Sequence, residues 1–165
     1  MANMNDEFGV NSILLSIVIP VYNETRRIHN LKTIVDYCKG KSDQYEIIVV
    51  DDGSTDETVS RSVEILKFYK NSKVLKSDKN YGKGHAVAMG MKESSGRHHL
   101  FMDVDLSTPL EHIDEAIYLA QNYNVVAGTR KNGKAKLIKR QSWIRENMGK
   151  GFTLLSQIIL STWLS

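Results

Sequence analysis

Two carboxylates separated by one residue, Asp103 and Asp105, are the first feature of this sequence whose types and spacing could do chemistry. On an extended segment, residues i and i+2 point to the same side, so both acids would face one cavity. Left alone they would repel, and one would hold a proton. A hard divalent cation, Mg²⁺ or Mn²⁺, removes that conflict and completes its shell with phosphate oxygens and water. The plainer alternative is a surface pair near a helix N-terminus, where carboxylates are favoured anyway. A second pair, Asp51 and Asp52, ends a β-branched run and leads into Gly53-Ser54. One of the two is expected to accept hydrogen bonds from a base or ribose. The other is expected to support the turn and the following helix, since Asp-Gly is a good turn former. Residues 51–57 lack the spacing of a calcium loop. A third polar cluster is Tyr22-Asn23-Glu24.

Asn80-Tyr81-Gly82-Lys83-Gly84-His85 is a glycine-bearing turn ahead of a helical pattern, without P-loop spacing. It is either the plain start of a helix or a place where backbone N–H groups, at Lys83 and Gly84, and the Lys83 ammonium approach a diphosphate or base. Arg130 follows Gly128-Thr129, and a planar bidentate donor there would neutralise a leaving diphosphate. Beyond it run Lys131, Lys134, Lys136, Lys139, Arg140 and Arg145, interleaved with Leu137, Ile138, Trp143 and Ile144. Such a run is commonly a solvated face, but basic and apolar residues mixed in this way also suit an anionic membrane surface. Residues 152–164 (FTLLSQIILSTWL) are strongly apolar and read as a core helix or as an interfacial segment.

The elements that must position these groups follow from hydrophobic periodicity. Strands are predicted at residues 14–20, 45–50, 74–75, 99–103 and 124–128. Between them, Ile28, Leu31, Val35 and Cys38 lie at helical spacing, with Gly40 as a stop. Ser54 and Glu57 read as a capping box for a helix burying Val59, Val63 and Leu66; residues 84–92 form another helix. Thr108, Pro109 and Glu111 read as the capped start of a helix burying Ile113, Ile117 and Ala120. This alternation implies an α/β, Rossmann-like, mostly parallel sheet with helices on both faces. Ligands of such sheets bind at the carboxyl ends of the strands. All three acidic or amide clusters stand just after predicted strands, so they converge on one edge.

Length and composition agree with one domain, residues 12–165, after a polar tail at residues 1–11, with 130–165 as its basic and apolar acceptor-side segment. The tail lacks the basic region of a signal peptide, and no run reaches the roughly 18 apolar residues of a membrane span. Cys38, the single cysteine, excludes a disulfide framework and fits a small core residue in a reducing compartment. Residues 130–150 hold eight Lys or Arg against one acid, a local +7; with +3 overall, the remainder carries −4. That asymmetry points to an anionic partner at the C-terminal end.

The segments SIVIPVYNE (16–24), EIIVVDDGSTDET (46–58), NYGKGHAVAMGM (80–91), MDVDLSTP (102–109) and AGTR (127–130), in this order, resemble family 2 glycosyltransferases of the GT-A fold. Within that family they look most like polyprenyl- or dolichyl-phosphate sugar synthases, and MDVDLSTP looks like the glucose-transferring branch. The resemblance implies that Pro20, Tyr22, Asn23 and Glu24 line a nucleotide pocket and that Asp51 or Asp52 contacts the base or ribose. It places Asp103 near ribose and metal, Asp105 on the metal at the diphosphate, and Arg130 on the diphosphate or acceptor phosphate. Arg140 or Arg145 would be a second phosphate-binding arginine. Ser107 stands where mannose-transferring relatives often carry Gln, which favours UDP-glucose as donor over GDP-mannose.

The implied reaction is inverting transfer of the sugar to a polyprenyl phosphate by a protein peripheral to the cytoplasmic membrane face. A phosphate acceptor is already anionic at neutral pH and needs no general base. Two other readings stand beside it. One is a transferase acting on a sugar hydroxyl in surface-polysaccharide synthesis. The other is a non-catalytic nucleotide-sugar-binding module completed by a homo-oligomer or a partner chain, since relatives continue past the position of Ser165. Nucleic acid is not an expected partner, because the basic stripe carries no nucleic-acid motif and the rest of the chain is acidic.

Overall fold

In the computed structural model, residues 13–41 and 44–128 are described. The chain divides into two compact units, residues 1–126 and 127–165, and every element below belongs to the first. The order is β1 (Leu15–Val21), a 3₁₀ turn (Ile28–Asn30), α1 (Leu31–Lys39), β2 (Tyr45–Asp51), α2 (Thr58–Leu66), β3 (Ser72–Lys76), α3 (Lys83–Lys92), β4 (His98–Phe101) and α4 (Glu111–Leu119). The strands form one parallel sheet in the order β3-β2-β1-β4.

β1 and β2 are central and apolar on both faces, as buried parallel strands must be. Ile17, Ile19, Ile47 and Val49 join Leu31, Ile34 and Cys38 of α1 and Ile113 of α4 in one core. Val18, Ile48 and Val50 pack on the other face against Ala86 of α3. Helices therefore cover both faces. Gly90 lets α3 lie close to the sheet, because a Cβ there would run into Val18 and come within 2.9 Å of Val50 Cγ2. Cys38 is a core residue, and burial pushes its thiol up to about 12.

Pro20 sits in the central strand β1, which a missing N–H would ordinarily forbid. Pairing of β1 with β4 ends at Val18↔Phe101, and the Val18 carbonyl accepts the Met102 N–H at 3.1 Å. Pro20, two residues on, presents its main chain to the same side beyond the last pair of β4, where no ladder donor is needed.

Glu46 is buried within β2. Burial pushes its carboxyl up. The Ser95 N–H (3.0 Å), the Ser16 hydroxyl (2.7 Å) and Lys73 (3.1 Å) outweigh that, and Glu46 lies below the usual range. This cluster ties the α3–β4 loop to the amino ends of β1 and β2.

Several sequence expectations are corrected. Residues 124–128 form no strand, and Val125 is exposed; a β-branched run without a paired neighbour among the described residues has nothing to hold it extended. Neither capping box forms. α2 starts at Thr58 and α4 at Glu111, and neither has a side-chain cap at its Ncap residue, Glu57 or Leu110. Ser54 Oγ instead accepts the Asn23 N–H at 2.9 Å. The buried face of α2 is Thr58, Ser62 and Leu66, while Val63 is 52% exposed. Polar residues can face inward there because their hydroxyls are satisfied locally. Thr58 Oγ1 donates to Asp56 at 2.5 Å and accepts the Glu24 N–H at 2.7 Å, and Ser62 Oγ donates to the Thr58 carbonyl at 2.7 Å.

Candidate donor-binding and metal site

The carboxyl edge of the sheet gathers the three polar clusters. After β1 the chain turns through Asn23 at φ 51°, a left-handed conformation that asparagine tolerates better than most residues. Asn23 is held by the β2–α2 loop: its Oδ1 accepts the Thr55 N–H at 3.0 Å, and its own N–H goes to Ser54. Tyr22 beside it is 46% exposed. Glu24 pairs with Arg27 in a bidentate bridge at 2.6 and 2.7 Å. That hydrogen bond and the charge of Glu24 raise Arg27 above its ordinary value, with smaller contributions from Asp105 and Asp103.

Asp51 and Asp52 are 0% and 3% exposed, and main-chain donors occupy both. Asp51 accepts the Ser54 N–H at 3.1 and 3.3 Å, closing the turn through Gly53. Gly53 has φ 78°, and a Cβ there would come within 2.5 Å of the Lys79 carbonyl carbon, so only glycine lets the two loops meet. Asp52 reaches across to that second loop. One oxygen accepts the Tyr81 N–H at 3.0 Å, and the other accepts the Gly82 N–H at 2.7 Å. Asp51 is thus a turn anchor and Asp52 a loop clamp.

The clamped loop sets the start of α3. Tyr81 stacks on His85 with ring centroids 4.6 Å apart. Lys83 opens the helix, and its ammonium meets Asp103 Oδ1 at 2.6 Å, with the two side chains 55% and 48% exposed. Nothing lies within 4 Å of where a Cβ would stand on Gly84, so the Gly84 side of the first turn of α3 is open, while Ala86 of the same turn packs on the sheet.

Asp103 and Asp105 stand beyond the end of β4 in a turn, not on an extended segment. Buried Val104 anchors the turn, leaving the acids on either side of it exposed. Both act on the Arg27 guanidinium. Asp105 Oδ1 accepts the Ser107 N–H at 2.9 Å, and Leu106 between them is left-handed at φ 54°. As a metal site, the turn offers two hard oxygen donors. Among the described residues no group of three or more His, Cys, Asp or Glu could hold an ion. That donor set fits Mg²⁺ or Mn²⁺ shared with a diphosphate, and not a closed protein cage.

Arg130, Arg140 and Arg145 lie outside the described residues. Sequence reasoning missed Arg27, although the Glu24–Arg27 spacing is the i, i+3 spacing of an ion pair. It also missed Asp56, which lines an open cleft of about 830 Å³ with Asn23, Glu24, Thr25, Arg26, Arg27, Thr55, Glu57 and Ser60. Burial pushes the Asp56 carboxyl up, but hydrogen bonds from Thr25 and Thr58 prevail and hold it at about 2.

The model of glycosyl transferase family 2 matches residues 16–160. The chain is 36% identical over 124 residues to the dolichyl-phosphate beta-glucosyltransferase of Saccharomyces cerevisiae, covering 71% of this chain and 37% of that protein. It is 31% identical over 138 residues to the undecaprenyl-phosphate 4-deoxy-4-formamido-L-arabinose transferase of Proteus mirabilis, covering 82% and 41%. The chain thus spans about two fifths of the length of these curated relatives. Among solved structures it is similar to S. aureus TarS 1-349 in complex with UDP-GlcNAc: 29% identity, TM-score 0.54, 66% of this chain and 32% of that one. The mannosyltransferase PcManGT from Pyrobaculum calidifontis, in complex with GDP-Man and Mn²⁺, shares the fold at 22% identity and TM-score 0.56, over 67% of this chain and 33% of that one.

Proposed function

The chain belongs to glycosyl transferase family 2, and from that premise we propose that it carries the donor half of an inverting transferase moving a sugar from a nucleotide diphosphate, UDP-glucose first and GDP-mannose second, to a polyprenyl phosphate. The observation that carries this reading is the meeting of Asp103, Asp105, Lys83 and the Glu24–Arg27 pair at one sheet edge. Asp103 and Asp105 would hold Mg²⁺ or Mn²⁺, which when bound supplies Lewis-acid stabilisation of the leaving diphosphate. Lys83 adds a mobile positive charge beside the same oxygens. Arg130 and one of Arg140 and Arg145 are assigned to phosphate. Pro20, Tyr22, Asn23 and Glu24 shape the side of the pocket above β1. Asp51 or Asp52 reaches base or ribose once the clamped loop yields an acceptor, and Gly84 leaves room for the approach.

Two points support a lipid-phosphate acceptor: the names of both curated relatives and the basic, apolar composition of residues 130–165. The latter would rest on an anionic membrane face. Among the described residues no helix is long and apolar enough to cross a membrane.

The test is calorimetric titration with UDP and GDP, with Mn²⁺ and with EDTA, followed by transfer of labelled sugar to polyprenyl phosphate in vesicles. Metal-dependent UDP binding and labelled lipid are expected. A GDP preference would replace the donor. Transfer to a sugar hydroxyl but not to lipid phosphate would replace the acceptor, and binding without any transfer would favour a non-catalytic module completed by a partner chain.

A further inference from the structure

Lys83 stands at a position that general electrostatics disfavours. A cation in the first turn of a helix faces the positive end of the macrodipole, yet Lys83 is the first residue of α3. Its charge is offset there by Asp103, at 2.6 Å. Two ion pairs stand at this edge, Lys83–Asp103 and Arg27–Glu24, with Asp105 two residues from Asp103 and close enough to act on Arg27. Arg27 is committed to Glu24 by two short hydrogen bonds. Lys83 has a single carboxylate oxygen in that bridge and a long flexible stem, and both partners are about half exposed.

We propose, on the basis of the donor-site reading above, that Lys83 is an exchangeable counter-ion that couples metal binding to nucleotide binding. In the free chain its ammonium occupies Asp103, the carboxylate that a divalent cation needs. A divalent cation taken up by Asp103 and Asp105 puts two positive charges beside the Lys83 ammonium, which is repelled from Asp103. The place where it is then best stabilised is the diphosphate at the open Gly84 side of the first turn of α3. Metal alone must therefore compete with Lys83, whereas metal with diphosphate uses it. The exposed pair is weak, so the competition costs the metal no more than about two- to fivefold in affinity.

This predicts effects of opposite sign from one substitution. In Lys83→Met, Mn²⁺ alone, followed by the paramagnetic resonance signal of the free ion, should bind about two- to fivefold more tightly. UDP in saturating Mn²⁺, followed by calorimetry, should bind about tenfold more weakly, as expected for a lost charge-assisted hydrogen bond. Lys83→Arg should leave both close to the parent chain. Unchanged or weaker Mn²⁺ binding in Lys83→Met, with metal-dependent UDP binding intact in the parent, overturns the counter-ion role alone. Unchanged UDP affinity in the variant overturns the transfer of Lys83 to the diphosphate. A parent chain that binds UDP without regard to Mn²⁺ overturns the donor-site reading and this inference with it. Lys83→Gln, also uncharged, repeats the measurement if the Met variant does not fold.

Discussion

Replacing Asp52 with Asn tests whether the loop that starts α3 is held by this one side chain. The carboxylate is 3% exposed and accepts the Tyr81 and Gly82 N–H groups, one on each oxygen. Hydrogen bonds to a charged group contribute about 1.5–3 kcal/mol each, and neutral ones about 1. Asn offers a single carbonyl oxygen, and its NH₂ would face one of the two donors. One charged bond is lost and the other becomes neutral, so Asp52→Asn should destabilise the fold by about 2–4 kcal/mol. For a chain of this size that is a fall in Tm of about 4–16 °C. Urea denaturation measures the first figure. Amide exchange at Tyr81 and Gly82, which should accelerate far more than at Ile47 or Val49 in β2, localises it. Unchanged stability with unchanged exchange at Tyr81 and Gly82 would refute the clamp. If stability were intact and UDP affinity fell, Asp52 would be a ligand contact and not the clamp of this loop.

The other predictions concern the second acidic cluster, helix packing and acid stability. Asp105→Asn should abolish metal-dependent UDP binding while leaving the melting curve within about 0.5 kcal/mol of the parent, as for an exposed substitution; Mn²⁺-dependent affinity equal to the parent would remove it from the site. Gly90→Ala should destabilise by about 1–3 kcal/mol, because the new methyl meets Val18 and Val50 across a packed interface; a neutral result in urea would mean α3 can lift from the sheet. Asp56 is depressed in the fold to about 2 from 3.8, so its contribution is present above the unfolded value and is lost as pH falls through about 2. Asp56→Asn should therefore flatten the stability profile between those two values, and an acid limb identical to the parent's would show that Asp56 does not titrate with folding.

The parallel sheet was legible because the residues of β1 and β2 are apolar on both faces, a pattern only a covered central strand needs. The direction of the site was legible too, since each polar cluster interrupts the chain just after such a run. Local signals failed where a tertiary partner outbid them. Ser54 has the right spacing to cap α2, but the Asn23 N–H claims its hydroxyl. Val63 fits the helical apolar stripe, but Thr58, its hydroxyl bonded to Asp56 and to the Glu24 N–H, lies on the inward face together with Ser62. Buried Glu46 near the start of β2 was unreadable, because its three partners come from Ser16, Lys73 and Ser95, far apart in sequence. The Asp103–Asp105 pair was found on an assumption the structure replaces: a turn around buried Val104, not strand alternation, leaves both acids outside the core.

The strand order explains why acids of similar appearance have different surroundings. With β3-β2-β1-β4, the chain runs outward from β1 through β2 to β3 and then returns to the far side of β1. The crevice of such a sheet opens where the order reverses, between the carboxyl ends of β1 and β4. The Glu24–Arg27 pair follows β1 and Asp103–Asp105 follows β4, and these are the groups that share one electrostatic environment. Asp51 and Asp52 end β2, one strand away, where the Ser54 N–H of the following turn takes up the oxygens of Asp51 and the β3–α3 loop takes up those of Asp52. On the proposed reading, a nucleotide entering at the crevice would meet Asp103 and Asp105 directly, but would reach Asp51 or Asp52 only by competing with the N–H groups of Ser54, Tyr81 and Gly82. Base recognition by either acid should therefore come with slowed or accelerated exchange of those amides. UDP binding that leaves all of them unchanged would place the base elsewhere on the edge, against Tyr22.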